Sequence, residues 1–231
     1  MTRRFGIGAI ALAAACVASA MMTATARAED AKHPRDPWVF RSVLDGRARM
    51  LTCALNEKLY VSYDTQTGSL YRAWAGSVLF TGGVYDARHG PQPKSVGPAY
   101  FGRKKDDSAW QVRVDGKPTD AKPHYLGYKV GANDVTLSLA FDTPGGRVTV
   151  DESPGCEIAD DKVTLVRTFK VSGLPAGTIV ALTLSGDEGD ASESIVDRGG
   201  ARMPGLSASD SYTVHLDRNG TVTLRTTWRT R

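Results

Sequence analysis

Apolar and polar residues alternate with a period of two through most of the chain beyond Trp38, and this pattern restricts those stretches to half-buried strands. Leu59-Tyr60-Val61-Ser62-Tyr63 and Val135-Thr136-Leu137-Ser138-Leu139-Ala140-Phe141 show it, as do Val163 to Val171, Ile179 to Leu184 and Val222 to Trp228. A strand with one apolar face covers a core on that side and meets water on the other, as in antiparallel sheets. Turn chemistry falls between these runs. Asp45-Gly46, Asp115-Gly116, Pro144-Gly145-Gly146 and Asn219-Gly220 supply the positive φ that tight hairpins require. Asn219-Gly220, set between Tyr212–Leu216 and Val222–Trp228, predicts a terminal hairpin. No long window carries the 3.6-residue period of an amphipathic helix. The Pro-rich pieces Gly90 to Pro98 and Lys117 to Pro123 read as ordered loops or edge crossings. The expected fold is all-β: an antiparallel β-sandwich of one domain over residues 38–231, entered through an extended leader at 29–37.

Residues 1–28 read as a cleaved signal peptide. Arg3 and Arg4 form a positive start, Phe5 to Ala20 an apolar stretch, and Ala26-Arg27-Ala28 a small-residue cleavage site. The apolar stretch is shorter than the roughly 20 residues of a spanning helix. The expected location is therefore periplasmic or secreted, with no membrane association once the signal is removed. Paired arginines also leave twin-arginine export open beside the general route. Three of the 29 basic residues (Arg3, Arg4, Arg27) and none of the 25 acidic ones precede residue 29, which leaves 26 against 25. The basic pI of the whole chain is thus largely a property of the targeting segment, and no basic surface for nucleic acid is implied. Cys53 and Cys156 remain. Paired in an oxidising compartment, they would close a loop of about 100 residues worth about 4–5 kcal/mol in the chain-entropy picture. Left unpaired, Cys53 between Leu51 and Leu55 reads as a buried strand thiol.

Several chemistries find no motif. Covalent haem needs two nearby cysteines followed by histidine, and neither Cys53 nor Cys156 has that context, so no haem cofactor is expected. His33, His89, His124 and His215 are scattered singly, so no transition-metal site is expected. Asp187, Glu188, Asp190 and Glu193 crowd one segment, but without EF-hand spacing they read as a solvated loop rather than a calcium site. No nucleophile elbow is present.

Aromatic residues interleave with polar ones between Trp38 and Tyr100. Flat rings beside hydrogen-bonding groups suit sugar rings and protein docking alike, although strands also favour Tyr and Trp for packing. The candidate ligand-binding residues are Arg41, Asp64, Trp74, Tyr85, His89 and Gln92, with Trp74 and His89 foremost. An alternative reading is a small carbohydrate-active enzyme. In it His89 or Tyr85 acts as acid or base, and Arg41 or Arg88 neutralises a sugar carboxylate.

The run Asp36-Pro37-Trp38-Val39-Phe40-Arg41-Ser42-Val43-Leu44-Asp45-Gly46 carries a resemblance. It continues through Leu59 to Thr65, Leu70 to Trp74, Val84-Tyr85 and His89-Gly90-Pro91-Gln92-Pro93, with a second stretch from Val150 to Pro154, Val163 to Phe169 and Gly173 to Gly177. Together these are similar to a non-haem, all-β accessory module of large exported bacterial c-type cytochromes. The resemblance implies a binding or interaction role beside a c-type cytochrome or another periplasmic redox protein, or toward a carbohydrate-like ligand. It supplies no catalytic residues. Two departures stand out: no haem domain is expected within these residues, and Cys53 replaces what is usually a plain apolar residue. Electron transfer would then belong to a partner.

Overall fold

Strands account for nearly all of the regular structure in the computed structural model, which describes residues 36–80, 88, 90–103, 108–184, 193–198, 201–203 and 212–230, with backbone alone for 193–198, 201–203 and 212. The signal segment and most of the leader lie outside these residues, as do Asp187, Glu188 and Asp190. No α-helix occurs among the described residues, and every strand pairing is antiparallel. The fold is all-β and sandwich-like.

The strands, numbered in chain order, form four sheets. A five-stranded sheet runs β1 (Trp38–Leu44), β2 (Arg47–Asn56), β3 (Leu59–Asp64), β4 (Ser69–Trp74) and β7 (Ala99–Gly102). A two-stranded hairpin of β5 (Ser77–Leu79) and β6 (Lys94–Val96) adjoins it. A four-stranded sheet has the order β17 (Tyr212–Leu216), β14 (Thr178–Leu184), β8 (Trp110–Val114), β9 (Lys117–Pro118). The largest sheet has seven strands: β10 (His124–Val130), β11 (Val135–Thr143), β12 (Gly146–Ala159), β13 (Lys162–Ser172), β18 (Gly220–Arg229), β15 (Glu193–Arg198) and β16 (Ala201–Met203), in that spatial order.

The length of the central strands sets the architecture. β12 has 14 residues and β13 has 11. A strand rises about 3.3 Å per residue, so each is long enough to serve two cores. At one end Val148, Val150, Phe169 and Val171 pack with Trp110, Val112, Val180 and Leu216 of the four-stranded sheet. At the other, Val163, Leu165, Leu137 and Trp228 pack with Leu51, Cys53, Val61 and Tyr100 of the five-stranded sheet. The seven-stranded sheet is therefore one wall shared by two hydrophobic clusters.

Between the clusters lies a buried charge. On the inner side of β12, Glu152 follows Val150 of the first cluster; on β13, Arg167 separates Leu165 from Phe169. Arg167 Nε donates to Glu152 Oε1 at 2.6 Å and its Nη2 to Oε2 at 3.1 Å, with the two side chains 3 % and 1 % exposed. Tyr63 of β3 donates its hydroxyl to the same Oε1 at 2.6 Å. Burial, then the neighbouring carboxylate, push the Tyr63 phenol well above its ordinary range, so it stays the donor. Arg167 also lies over the Phe169 ring, 5.0 Å from its centre. The hydrogen bond from Tyr63 ties the five-stranded sheet to the seven-stranded one.

Two turn readings resolve differently. Asp45-Gly46 and Asp115-Gly116 close the β1–β2 and β8–β9 hairpins with φ positive at both residues. Asn219-Gly220 makes no hairpin. β17 pairs with β14 while β18 pairs with β13 and β15, so the chain crosses there from one sheet to another. The Asn219 side chain fixes the crossing by accepting the Leu174 N–H at 2.9 Å. Pro154 lies within β12. The ladder to β11 stops at Glu152, and beyond it β12 pairs only with β13 among the described residues, so the missing N–H interrupts no bond on the other side.

Removing one member of the buried pair strands the other. Glu152→Ala is expected to cost about 3–5 kcal/mol in urea denaturation, and the joint replacement Glu152→Leu with Arg167→Met markedly less. Equal losses in the two variants would contradict the role given to the pair.

Candidate functional site

The outer face of the five-stranded sheet gathers several of the aromatic residues found between Trp38 and Tyr100. Register places Trp38, Ala54, Tyr60 and Trp74 side by side across β1 to β4. With Leu44, Met50 and Val78 they form a third, smaller cluster on this face. Trp74 is its centre rather than a ligand platform. It is wholly buried, packs on Tyr60 at 5.4 Å and donates its indole N–H to the Ser77 carbonyl at 3.0 Å.

Three other rings meet one another at the solvent boundary. Trp38 and Phe40, two apart on β1 and so on one face, lie 4.8 Å apart, and Phe80 stands edge-on to both at 6.2 and 5.1 Å. Trp38 and Phe40 are half-buried and Phe80 is exposed. Sequence reading passed over Phe40 and Phe80 in favour of Tyr and Trp. The signal for Phe40 was its two-residue spacing from Trp38.

Asp45 organises the polar side of this face. Its backbone N–H donates to the Pro93 carbonyl at 3.0 Å. Its carboxylate accepts the Ser95 N–H at 2.9 Å, the Ser95 hydroxyl at 2.7 Å and the Tyr71 hydroxyl at 3.2 Å. Arg47 lies over the Tyr71 ring, 4.5 Å from its centre. Burial, then Asp45, raise the Tyr71 phenol above its usual range, which keeps it protonated as a donor. The Asp45-Gly46 turn thus holds the stretch that follows His89-Gly90-Pro91-Gln92 against the sheet. Nearby, a Cβ on Gly76 would meet the Val96 carbonyl oxygen at 2.2 Å and one on Gly97 the Ala75 oxygen at 2.0 Å, so the two backbone runs approach at a distance that glycine alone allows.

The remaining candidates do not converge. Arg41 points to the opposite face of β1 from Trp38, with its guanidinium 5.7 Å from the centre of the Tyr125 ring. Asp64 shares the face of Tyr60 but lies about 13 Å farther along β3. Its carboxylate accepts the Gln66 N–H at 2.8 Å and caps the turn into β4. Gln92 is half-buried beside Pro93. Tyr85 and His89 lie outside the described residues. Arg41, Asp64 and Trp74 therefore do not form one site: the first belongs to another face, the second to a turn and the third to a core.

Cys53 and Cys156 are free thiols. Cys53 is buried within the cluster under the five-stranded sheet, and Cys156 packs against that cluster from β12. Burial, then Glu152, raise Cys53 far above the ordinary thiol range. Burial, then Asp36 and Glu157, push Cys156 up to about 11. Among the described residues no group of three or more His, Cys, Asp or Glu side chains is placed to hold a metal ion. No protein-family profile matches this chain, and no curated protein matches it in sequence.

Two outcomes follow. Asp45→Ala leaves the Ser95 and Tyr71 donors without their acceptor, and is expected to lower stability by about 1–3 kcal/mol in urea denaturation. It should also broaden the amide signals of Lys94–Val96; an unchanged midpoint would show that Asp45 holds nothing. Because the thiolate is the reactive form, both Cys53 and Cys156 should resist iodoacetamide near about pH 8 in the folded protein and react on unfolding. Peptide mapping reads the two sites separately. Rapid native labelling, or a mass deficit from a Cys53–Cys156 bridge, would contradict the placement.

Proposed function

We propose that this chain is an exported, non-catalytic binding module that docks a periplasmic redox partner of the c-type cytochrome kind through the outer face of its five-stranded sheet. One observation carries the reading: Trp38, Phe40 and Phe80 form a solvent-facing aromatic cluster on a sheet otherwise committed to packing. Tryptophan and other large rings that lose water on contact dominate docking energetics. The Arg47–Tyr71–Asp45 group supplies a polar margin of the kind that surrounds such a centre. Export and the cytochrome partner rest on the sequence resemblance and the signal-like start.

Ring geometry favours a protein over a carbohydrate-like ligand. Phe80 meets Trp38 and Phe40 at interplanar angles of 68° and 66°, which makes a compact apolar knob and not the open flat face on which a sugar stacks. The polar side chains described nearby bond to one another, which gives no support to acid–base chemistry at this face.

Titrating the isotopically labelled chain with a soluble c-type cytochrome, and separately with a panel of oligosaccharides, tests this. The Trp38 indole and the Phe40 and Phe80 ring signals are expected to shift with the cytochrome. The double variant Trp38→Ala, Phe80→Ala should weaken binding by about tenfold or more. Shifts with oligosaccharides alone would transfer the site to a sugar ligand. Shifts with neither would remove the proposal.

A further inference from the structure

The seven-stranded sheet ends on β10, and its far edge is open. β10 pairs with β11 along one side, and among the described residues no other main-chain bond leaves His124–Val130. Exposed apolar side chains concentrate on this strand. Leu126 is 53 % exposed, Tyr128 38 % and Val130 41 %, which is half of the six large apolar side chains exposed among the described residues. Single exposed apolar residues are ordinary, but three in one edge strand form a patch.

Register gives the patch its direction. Tyr125, Tyr128 and Val130 pair with Leu139, Leu137 and Val135, all buried, so they face the side of the sheet that carries the core. A bulge at Leu126 keeps Tyr125 and Tyr128 on that side despite their odd spacing. Across from them, β1 is the end strand of the five-stranded sheet, and Arg41 reaches over to the Tyr125 ring. The Tyr125 hydroxyl is shielded from solvent and has no hydrogen-bond partner among the described residues. Two sheets thus end side by side, with a cation and two phenols at the mouth between them.

Charge selects the occupant. Edge strands are guarded against self-pairing by bulges and lysines, and β10 has both, in Leu126 and Lys129. The strand contains no acidic residue, and Lys122 and Arg41 add cations at its flanks. A second copy laid antiparallel on β10 would set two strands of the same sign together, with no carboxylate on either to face Lys129. Of the acids beside the edge, Asp142 is already engaged: it bonds Arg147 at 2.7 Å and lies 3.5 Å from His124. The positive edge fits a negative strand. Guarding charge would be expected where an incoming strand packs its side chains, yet those places hold Leu, Tyr and Val.

We propose that β10 is a docking edge for an extended acidic segment of another polypeptide. The segment adds as a further strand, sets a carboxylate on Arg41 and buries alternate apolar side chains against Tyr128 and Val130. This edge lies away from the Trp38–Phe40–Phe80 face and does not depend on it.

The test titrates the labelled full chain with a peptide alternating glutamate and valine, matched to the seven residues of β10, and with its lysine–valine counterpart. The acidic peptide should shift the β10 amides saturably and slow their exchange with solvent; the lysine peptide should do neither. Arg41→Glu should weaken the acidic peptide by about tenfold or more, since it reverses the facing charge. Tyr128→Ser, which removes the apolar contact without adding charge, should weaken it as well, and because both side chains are exposed the melting temperature should stay unchanged. The proposal fails if the acidic peptide leaves β10 unmoved or both peptides act alike. It also fails if Arg41→Glu binds as the parent does, or if β10 proves to pair with a second copy in sedimentation. Shifts confined to Trp38, Phe40 and Phe80 would count against this edge while leaving the outer face intact.

Discussion

The Glu152–Arg167 pair and the Tyr63 hydroxyl bonded to it are the point on which the two cores meet. Each long strand of the seven-stranded sheet gives its apolar residues to one cluster at one end and to the other cluster at the other end, and the charged pair marks the change. Burying two charges costs several kcal/mol per ion, and a pair of apolar residues would serve stability as well or better. What an apolar seam would not give is direction. The carboxylate accepts from Arg167 within the sheet and from Tyr63 across the sandwich, which fixes how the five-stranded sheet sits on the shared wall. Every surface described above inherits its position from that setting.

The same geometry explains why the outer features differ in kind. On the far side of the five-stranded sheet, Trp74 and Tyr60 close a small third cluster, and Asp45 gathers the backbone and hydroxyl of Ser95 together with Tyr71. The aromatic knob of Trp38, Phe40 and Phe80 stands on this braced ground. At the side of the sandwich, β1 and β10 both end their sheets, and Arg41 belongs to that mouth and not to the aromatic face. One β1 strand therefore serves two surfaces by simple alternation: Trp38 and Phe40 outward, Arg41 inward.

Strand existence was legible because alternation is a local property. The stretches through Leu59–Tyr63, Val135–Phe141, Val163–Val171 and Ile179–Leu184 all lie in strands. Pairing was not legible where it depends on distant partners. Asn219-Gly220 has hairpin chemistry, yet its flanking strands join different sheets, because their partners β14 and β13 were already apart. Pro154-Gly155 has turn chemistry, yet it sits in a strand where the neighbouring ladder has ended. The buried pair did leave a trace in the sequence: Glu152 and Arg167 fall on the apolar beats of their runs, after Val150 and between Leu165 and Phe169, but nothing local names the partner of either charge. Of the candidate site, Trp74 lies buried at the centre of the third cluster, a burial that local sequence does not reveal. Arg41 and Asp64 were drawn together by nearness in sequence that the strands do not preserve.

Native-state hydrogen exchange on the whole chain tests the seam most directly. If Glu152, Arg167 and Tyr63 join the two cores into one cooperative unit, the β12 and β13 amides around them exchange only through global unfolding, and amides of both cores share that same limiting free energy. If the five-stranded and four-stranded cores instead open with separate free energies, and the amides beside Glu152 exchange faster than either, the pair joins nothing and the account is wrong.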